Sequence, residues 1–128
     1  MAVTHDDPTR QVVADTVVDR LDVGTTDATA DLVFLTSTDG ELARGAMSDP
    51  AYGPADTTGV ATANAVSNIS VSTSGTVAKV EQADKNNAGR IFGTVTAEGG
   101  GGDIELTSVD LTAGEEIQID SLVYTAMQ

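Results

Sequence analysis

From residue 90 to residue 124 the chain reads RIFGTVTAEGGGGDIELTSVDLTAGEEIQIDSLVY, and this stretch constrains the fold more than any other. Three runs, 90–97, 103–109 and 116–124, alternate apolar with polar side chains: Ile91 and Val95, Ile104 and Leu106, Ile117 and Ile119. Successive side chains of a strand point to opposite faces. A period of two with β-branched residues, broken by glycine, therefore predicts half-buried strands of an antiparallel sheet. No catalytic group is recognisable in the stretch, which reads as scaffolding.

The rest of the chain fits around that sheet. Residues 1–6 are expected to form a mobile arm. Asp7-Pro8 then signals a helix start, with a carboxylate as cap and proline at the first helical position. Val13, Val17 and Leu21 recur at i, i+4 and i+8, with Ala14 and Val18 beside them, while Asp15, Asp19 and Arg20 fall mostly on the other side. The spacing predicts an amphipathic helix of about four turns, ended by Gly24 and followed by a polar linker over 25–29. Further strands are expected at 30–37, 41–47, 60–65, 66–73 and 76–82. Asp39-Gly40 is a strong hairpin cue, and residues 84–89 form a second turn. Short strands at near-regular spacing after one helix predict a mainly β fold, an antiparallel β-sandwich of jelly-roll type with one N-terminal α-helix. The division is 1–25 for arm and helix and 26–128 for the sandwich.

Composition narrows the function classes. With 128 residues and 3% aromatic content, one modest core must be built mainly from Val, Ile, Leu and Ala. The formal net charge is −14, and Lys79 and Lys85 are the only lysines. So acidic a profile resembles proteins from salt-saturated cytoplasms, and it argues against a nucleic-acid partner, because no basic stripe exists to release phosphate counterions. Without cysteine there is no disulfide or thiolate zinc site. No apolar run approaches the roughly 20 residues of a bilayer span, and MAVTHDDPTR does not resemble a secretory signal, so a soluble protein made inside the cell is expected.

Candidate chemistry is sparse. His5, the sole histidine, lies in the expected arm with nothing to hold it within reach of a proton. No Gly-x-Ser-x-Gly elbow is present, and pairs such as Asp6-Asp7 or Glu115-Glu116 are commonplace in so acidic a chain. The glycine run 99–102 is followed by Asp103-Ile104-Glu105 rather than by a lysine and a helix, so a hairpin loop is expected, not a phosphate cradle. Asp39-Gly40 and residues 84–87 offer oxygen ligands but match no twelve-residue calcium loop. Tyr52, between Pro50 and Pro54, is expected to pack over the sandwich edge. The expectation is a protein that is not an enzyme, with no catalytic, cofactor-binding or metal-ligating residues.

The order of segments carries a resemblance. A helix ends near Leu21-Asp22 and a strand follows over 32–36. Leu42-Ala43 leads to Ser48-Asp49-Pro50-Ala51-Tyr52-Gly53, then comes Gly59-Val60-Ala61-Thr62-Ala63-Asn64. Gly93-Thr94-Val95-Thr96 precedes the closing GGGGDIELTSVDLTAGEEIQIDSLVYT. This order resembles the capsid decoration or minor capsid proteins of tailed viruses, here with the acidity of a halophilic host. The resemblance implies a homotrimer on the capsid surface, made in the host cytoplasm, with the major capsid protein as partner and neither nucleic acid nor membrane. Val13, Val17, Leu21 and Tyr52 are the expected oligomer or lattice contacts. A tail, baseplate or fibre-base component and a host-surface binding module are the alternatives. Charge alone makes one prediction: raising salt from about 0.1 M to about 1 M shortens the screening length from about 10 Å to about 3 Å, so the melting temperature rises. A midpoint that stays level or falls in a thermal scan contradicts it.

Overall fold

The structure is a computed structural model that describes residues 3–126. Of the expected arm, Met1 and Ala2 lie outside the described residues, and residues 3–6 are exposed and irregular. Helix α1 spans Asp7–Asp19 and continues as a 3-10 turn, Arg20–Asp22. Its cap is Asp6, one residue earlier than expected. The Asp6 carboxylate accepts the Thr9 amide at 3.0 Å, leaving Pro8 in the first turn, where its missing N–H costs nothing. Gly24, at φ +121°, turns the chain away.

The helix buries Arg10, Ala14, Val18 and Leu21, whereas Val13 and Val17 are half-buried flanks. The buried row is thus rotated by about one residue from the valine stripe, because the small Ala14 allows the helix to approach the strands Val60–Thr62 and Val123–Thr125 closely. Helix side chains also fix the proline-rich loop. The Asp15 carboxylate accepts the Ala55 amide at 2.7 Å, Asp22 accepts the Ala51 amide at 3.0 Å, and Gln11 Nε2 donates to the Ala55 carbonyl at 3.0 Å. Arg10, buried, donates from Nη2 to the Ala126 carbonyl at 3.2 Å and so ties the helix to the end of the described chain.

Eleven short strands follow among the described residues: β1 Asp31–Leu35, β2 Glu41–Ala46, β3 Val60–Thr62, β4 Ile69–Ser70, β5 Gly75–Thr76, β6 Lys79–Ala83, β7 Gly89–Ala97, β8 Ile104–Leu106, β9 Asp110–Leu111, β10 Glu116–Ile117 and β11 Val123–Thr125. Five form one curled sheet, a half-barrel of order β2-β1-β6-β7-β8, and the others pair as β10-β4, β11-β3 and β5-β9. The mainly β class with one N-terminal helix is as expected. The pairing produces one five-stranded sheet and three two-stranded ribbons, with one parallel pair, rather than two continuous antiparallel sheets. The run 66–73 pairs only at Ile69–Ser70 and through a bridge at Val71, and 116–124 only at its two ends, in β10 and β11. Within the sheet, Phe34 stands opposite Ala43 on one side and Val80 on the other, a large ring between smaller neighbours. Gly45 is required because a Cβ there would collide with Ile69.

The main departure is β8. It lies parallel to β7, pairing Val95 with Ile104, although parallel neighbours usually need a crossover of about a dozen residues or more. Gly99 and Gly101, at φ +85° and +81°, let residues 98–103 turn back so sharply. Three polar side chains then fix that loop. Glu105 accepts the Gly99 and Gly101 amides, each at 3.1 Å, Thr96 Oγ1 accepts the Gly102 amide at 3.0 Å, and Asp103 accepts the Thr94 amide at 2.8 Å. The expected flexible antiparallel hairpin is therefore a pinned parallel connection.

The other two turns are as expected. Asp39 adopts φ +69° between β1 and β2, and Asn87 adopts φ +62° between β6 and β7. The second turn is built on Asp84, a buried carboxylate that accepts the Asn86 amide at 2.9 Å, the Ala88 amide at 3.0 Å and Arg90 Nε at 2.8 Å. Burial pushes its pKa up, but the two amides and the guanidinium outweigh burial and hold it below the usual carboxylate value. Its ionisation thus stabilises the fold above about pH 4, and that contribution is lost as pH falls below this value. Asp84→Ala is expected to cost about 3 kcal/mol at neutral pH, since it leaves Arg90 and two amides without their partner. Denaturant titration at pH 7 and pH 3 tests this: the deficit must shrink at pH 3.

Candidate functional site

The residues singled out in the sequence do not assemble into a catalytic group. His5 is exposed on the segment before the helix. Asp39 pairs with Lys79 at 2.9 Å and the oxygens of Asp84 are taken up by its own turn, so both proposed oxygen donors are engaged. No group of three or more potential metal ligands occurs among the described residues. The amides of the glycine run already hold an anion, the chain's own Glu105. Of the four expected contact residues, Leu21 is fully buried and Tyr52 almost so, both inside the subunit's own core. Neither offers surface to a partner. Val13 and Val17 remain half exposed beside Val12, which is 64% exposed.

Tyr52 belongs to the interior through both ends of its side chain. The ring packs in the core, and its hydroxyl donates to Oε1 of buried Gln82 at 2.7 Å. Burial pushes the phenol up to about 12, the Gln82 contact opposing this weakly.

The distinctive surface lies elsewhere, between the β7-β8 end of the sheet and residues 116–125. Three adjoining hollows of about 370, 290 and 370 Å³ run along it. Half-buried Ile91, Ile104, Leu106, Ile119, Leu122 and Tyr124 provide the apolar lining. At one end stand two outward apolar side chains, Phe92 at 71% and Val123 at 47% exposure. The walls elsewhere carry Glu98, Asp103, Glu105, Glu115, Glu116 and Asp120, and no Lys, Arg or His lines any of the three hollows. The ion pairs among the described residues engage Asp7, Asp31, Asp39, Glu41, Asp49 and Asp84, none of which is a groove carboxylate.

Beyond Arg90 the chain contains seven Asp and Glu and no Lys or Arg, half of its net charge in less than a third of its length. β8 ends the strand order of the sheet on this side. At the other end, β2 is bridged to Val71 and packs on β4. Phe92 and the groove were not singled out from the sequence. Alternation did contain the signal: if Ile91 and Val95 face inward, Phe92 faces out.

Comparison of the chain with protein-family models, curated proteins and solved structures finds no match. One spectroscopic prediction follows from Tyr52. The unfolded phenol ionises near pH 10 and the folded one near 12, so the unfolded state loses its proton first and stability falls as pH rises through that window. With no Trp and only Tyr52 and Tyr124, tyrosinate absorbance can be followed without interference. Tyr52→Phe is expected to remove a step near pH 12 and to cost about 1–2 kcal/mol at neutral pH by stranding Gln82. Loss of a step near pH 10 instead places the phenol in solvent.

Proposed function

We propose that this chain is a virion structural protein, a decoration or minor capsid subunit that stabilises the head lattice of a tailed virus of a halophilic host. The observation that carries this reading is the division of labour among side chains. Polar groups largely fix loops, whereas the exposed large apolar side chains are Val3, Val12 and Val23, on the helix or within a few residues of its ends, and Phe92 and Val123 at one end of the groove. Such a surface serves attachment rather than turnover. The segment order that resembles decoration proteins supplies the particular assembly, with the major capsid protein and two further copies of the chain as partners. On this reading the three ribbons across the half-barrel act as the second layer of a jelly-roll-like sandwich.

A lattice subunit needs contacts that are individually modest. A standard interface buries roughly 1,600 Å², and repetition around a symmetry axis raises the effective affinity further. Because salt screens long-range charge, apolar burial must dominate such contacts in a halophile. A host-surface binding module is the second reading, favoured by Phe92 alone, since an exposed ring beside carboxylates is the usual platform for a sugar.

The test is the copy number of this chain per major capsid protein in gradient-purified particles kept at high salt. Hundreds in a simple ratio are expected; a handful moves the protein to a tail, baseplate or fibre base, and none removes it from the virion. Two helix variants separate fold from assembly. Val17→Asp, at a half-buried position on the flank of the helix, is expected to lower stability by about 1–3 kcal/mol. Val12→Asp should leave the melting temperature unchanged while reducing trimer formation or capsid binding in sedimentation assays.

A further inference from the structure

We infer that the groove between β8 and residues 116–125 takes an extended, basic polypeptide segment, added as a strand along the free edge of β8. The inference goes beyond the virion role and does not require it; if that role holds, the segment belongs to a lattice neighbour.

Three observations converge on this occupant. Among the described residues β8 pairs only with β7, so its far side presents backbone groups to whatever lies in the groove. An extended chain satisfies those groups directly, as in strand addition to an open sheet edge. Along the groove, side chains of such a strand alternate between the apolar floor and the rim. At one end Phe92 and Val123 supply exposed apolar anchors on a surface otherwise rich in carboxylates. Aromatic anchors of this kind commonly carry much of the binding energy of an interface.

Charge then selects the partner. The rim has six carboxylates and no cation, and none of the six takes part in an ion pair among the described residues. A second copy of this chain is a poor occupant. It brings a net charge of −14, and five of its six Lys and Arg, all but Arg20, are already paired within their own subunit. A segment alternating Lys or Arg with aliphatic residues matches both the floor and the rim. Glu105 does not block its path, because its carboxylate is folded back onto the Gly99 and Gly101 amides.

The experiment uses the full chain, at the lowest salt that keeps it folded, and a fluorescein-labelled ten-residue peptide of alternating lysine and valine. Binding by fluorescence anisotropy is expected, together with slowed amide exchange at Ile104–Leu106. A glutamate–valine peptide and a lysine–serine peptide should each bind at least about tenfold more weakly, since one reverses the charge and the other removes the apolar contact. Glu98→Lys combined with Asp120→Lys, and separately Phe92→Ala, should weaken the first peptide about tenfold without shifting the melting temperature. Asp19→Lys, on the exposed side of the helix, should leave binding within about twofold. The inference is overturned if the lysine–valine peptide does not bind, if the glutamate–valine peptide binds equally, or if binding leaves exchange at β8 unchanged. A dimer of the chain alone that forms through this groove overturns it as well. Copy number in particles is an independent measurement, so failure here leaves the virion reading to stand or fall on its own.

Discussion

Much of this fold depends on a single kind of contact, a side-chain carboxylate accepting backbone N–H groups of a turn or loop. Asp6, Asp15, Asp22, Asp56, Asp84, Asp103, Glu105 and Glu115 all do so. The reason lies in the shortness of the strands. Many are two or three residues long, so a large share of the backbone lies outside regular ladders and must find partners elsewhere. In a chain with few lysines and many aspartates, the available acceptors are carboxylates. Acidity here has a role inside the molecule as well as at its surface.

That dual role reconciles the charge with the modest core. Self-repulsion at a net charge of −14 opposes compaction, yet each charge-assisted bond to an amide recovers part of what is lost. Asp6 and Asp56 are held below their ordinary pKa values by side-chain hydrogen bonds from Thr9 and Thr58 first and by backbone amides second, and Asp84, against the opposing effect of burial, by the Ala88 and Asn86 amides with Arg90. Six carboxylates stand around the groove without an ion-pair partner among the described residues, Asp103, Glu105 and Glu115 accepting backbone amides as well, and they give that face its character. Attachment and structure therefore draw on the same residue type in different surroundings.

The sequence was most legible where local chemistry decides geometry. Asp39-Gly40, the turn at 84–89 and the long β7 all follow from propensity and alternation. Gly24 ends the helix as its position implies. Legibility failed where a tertiary neighbour decides. Ala14 outranks Val13 and Val17 in burial because closeness to β3 and β11 favours a small side chain. Tyr52 looks like a surface lid between prolines, but Gln82 offers its hydroxyl a partner in the interior. The parallel course of β8 depends on Thr96, Asp103 and Glu105 acting together on one loop, and no period in the sequence encodes that. Phe92 was visible through alternation, yet its importance comes only from the groove beside it.

The tie between Arg10 and the Ala126 carbonyl has a consequence for how the molecule is made. The helix rests on β3 and β11, and Arg10 and Ala126 lie 116 residues apart along the chain. The segment translated early therefore has no complete seat until the segment translated late has emerged and paired with β3. Until then Ala14, Val18 and Leu21 lack part of their cover, and closure of the domain waits for β11 to emerge.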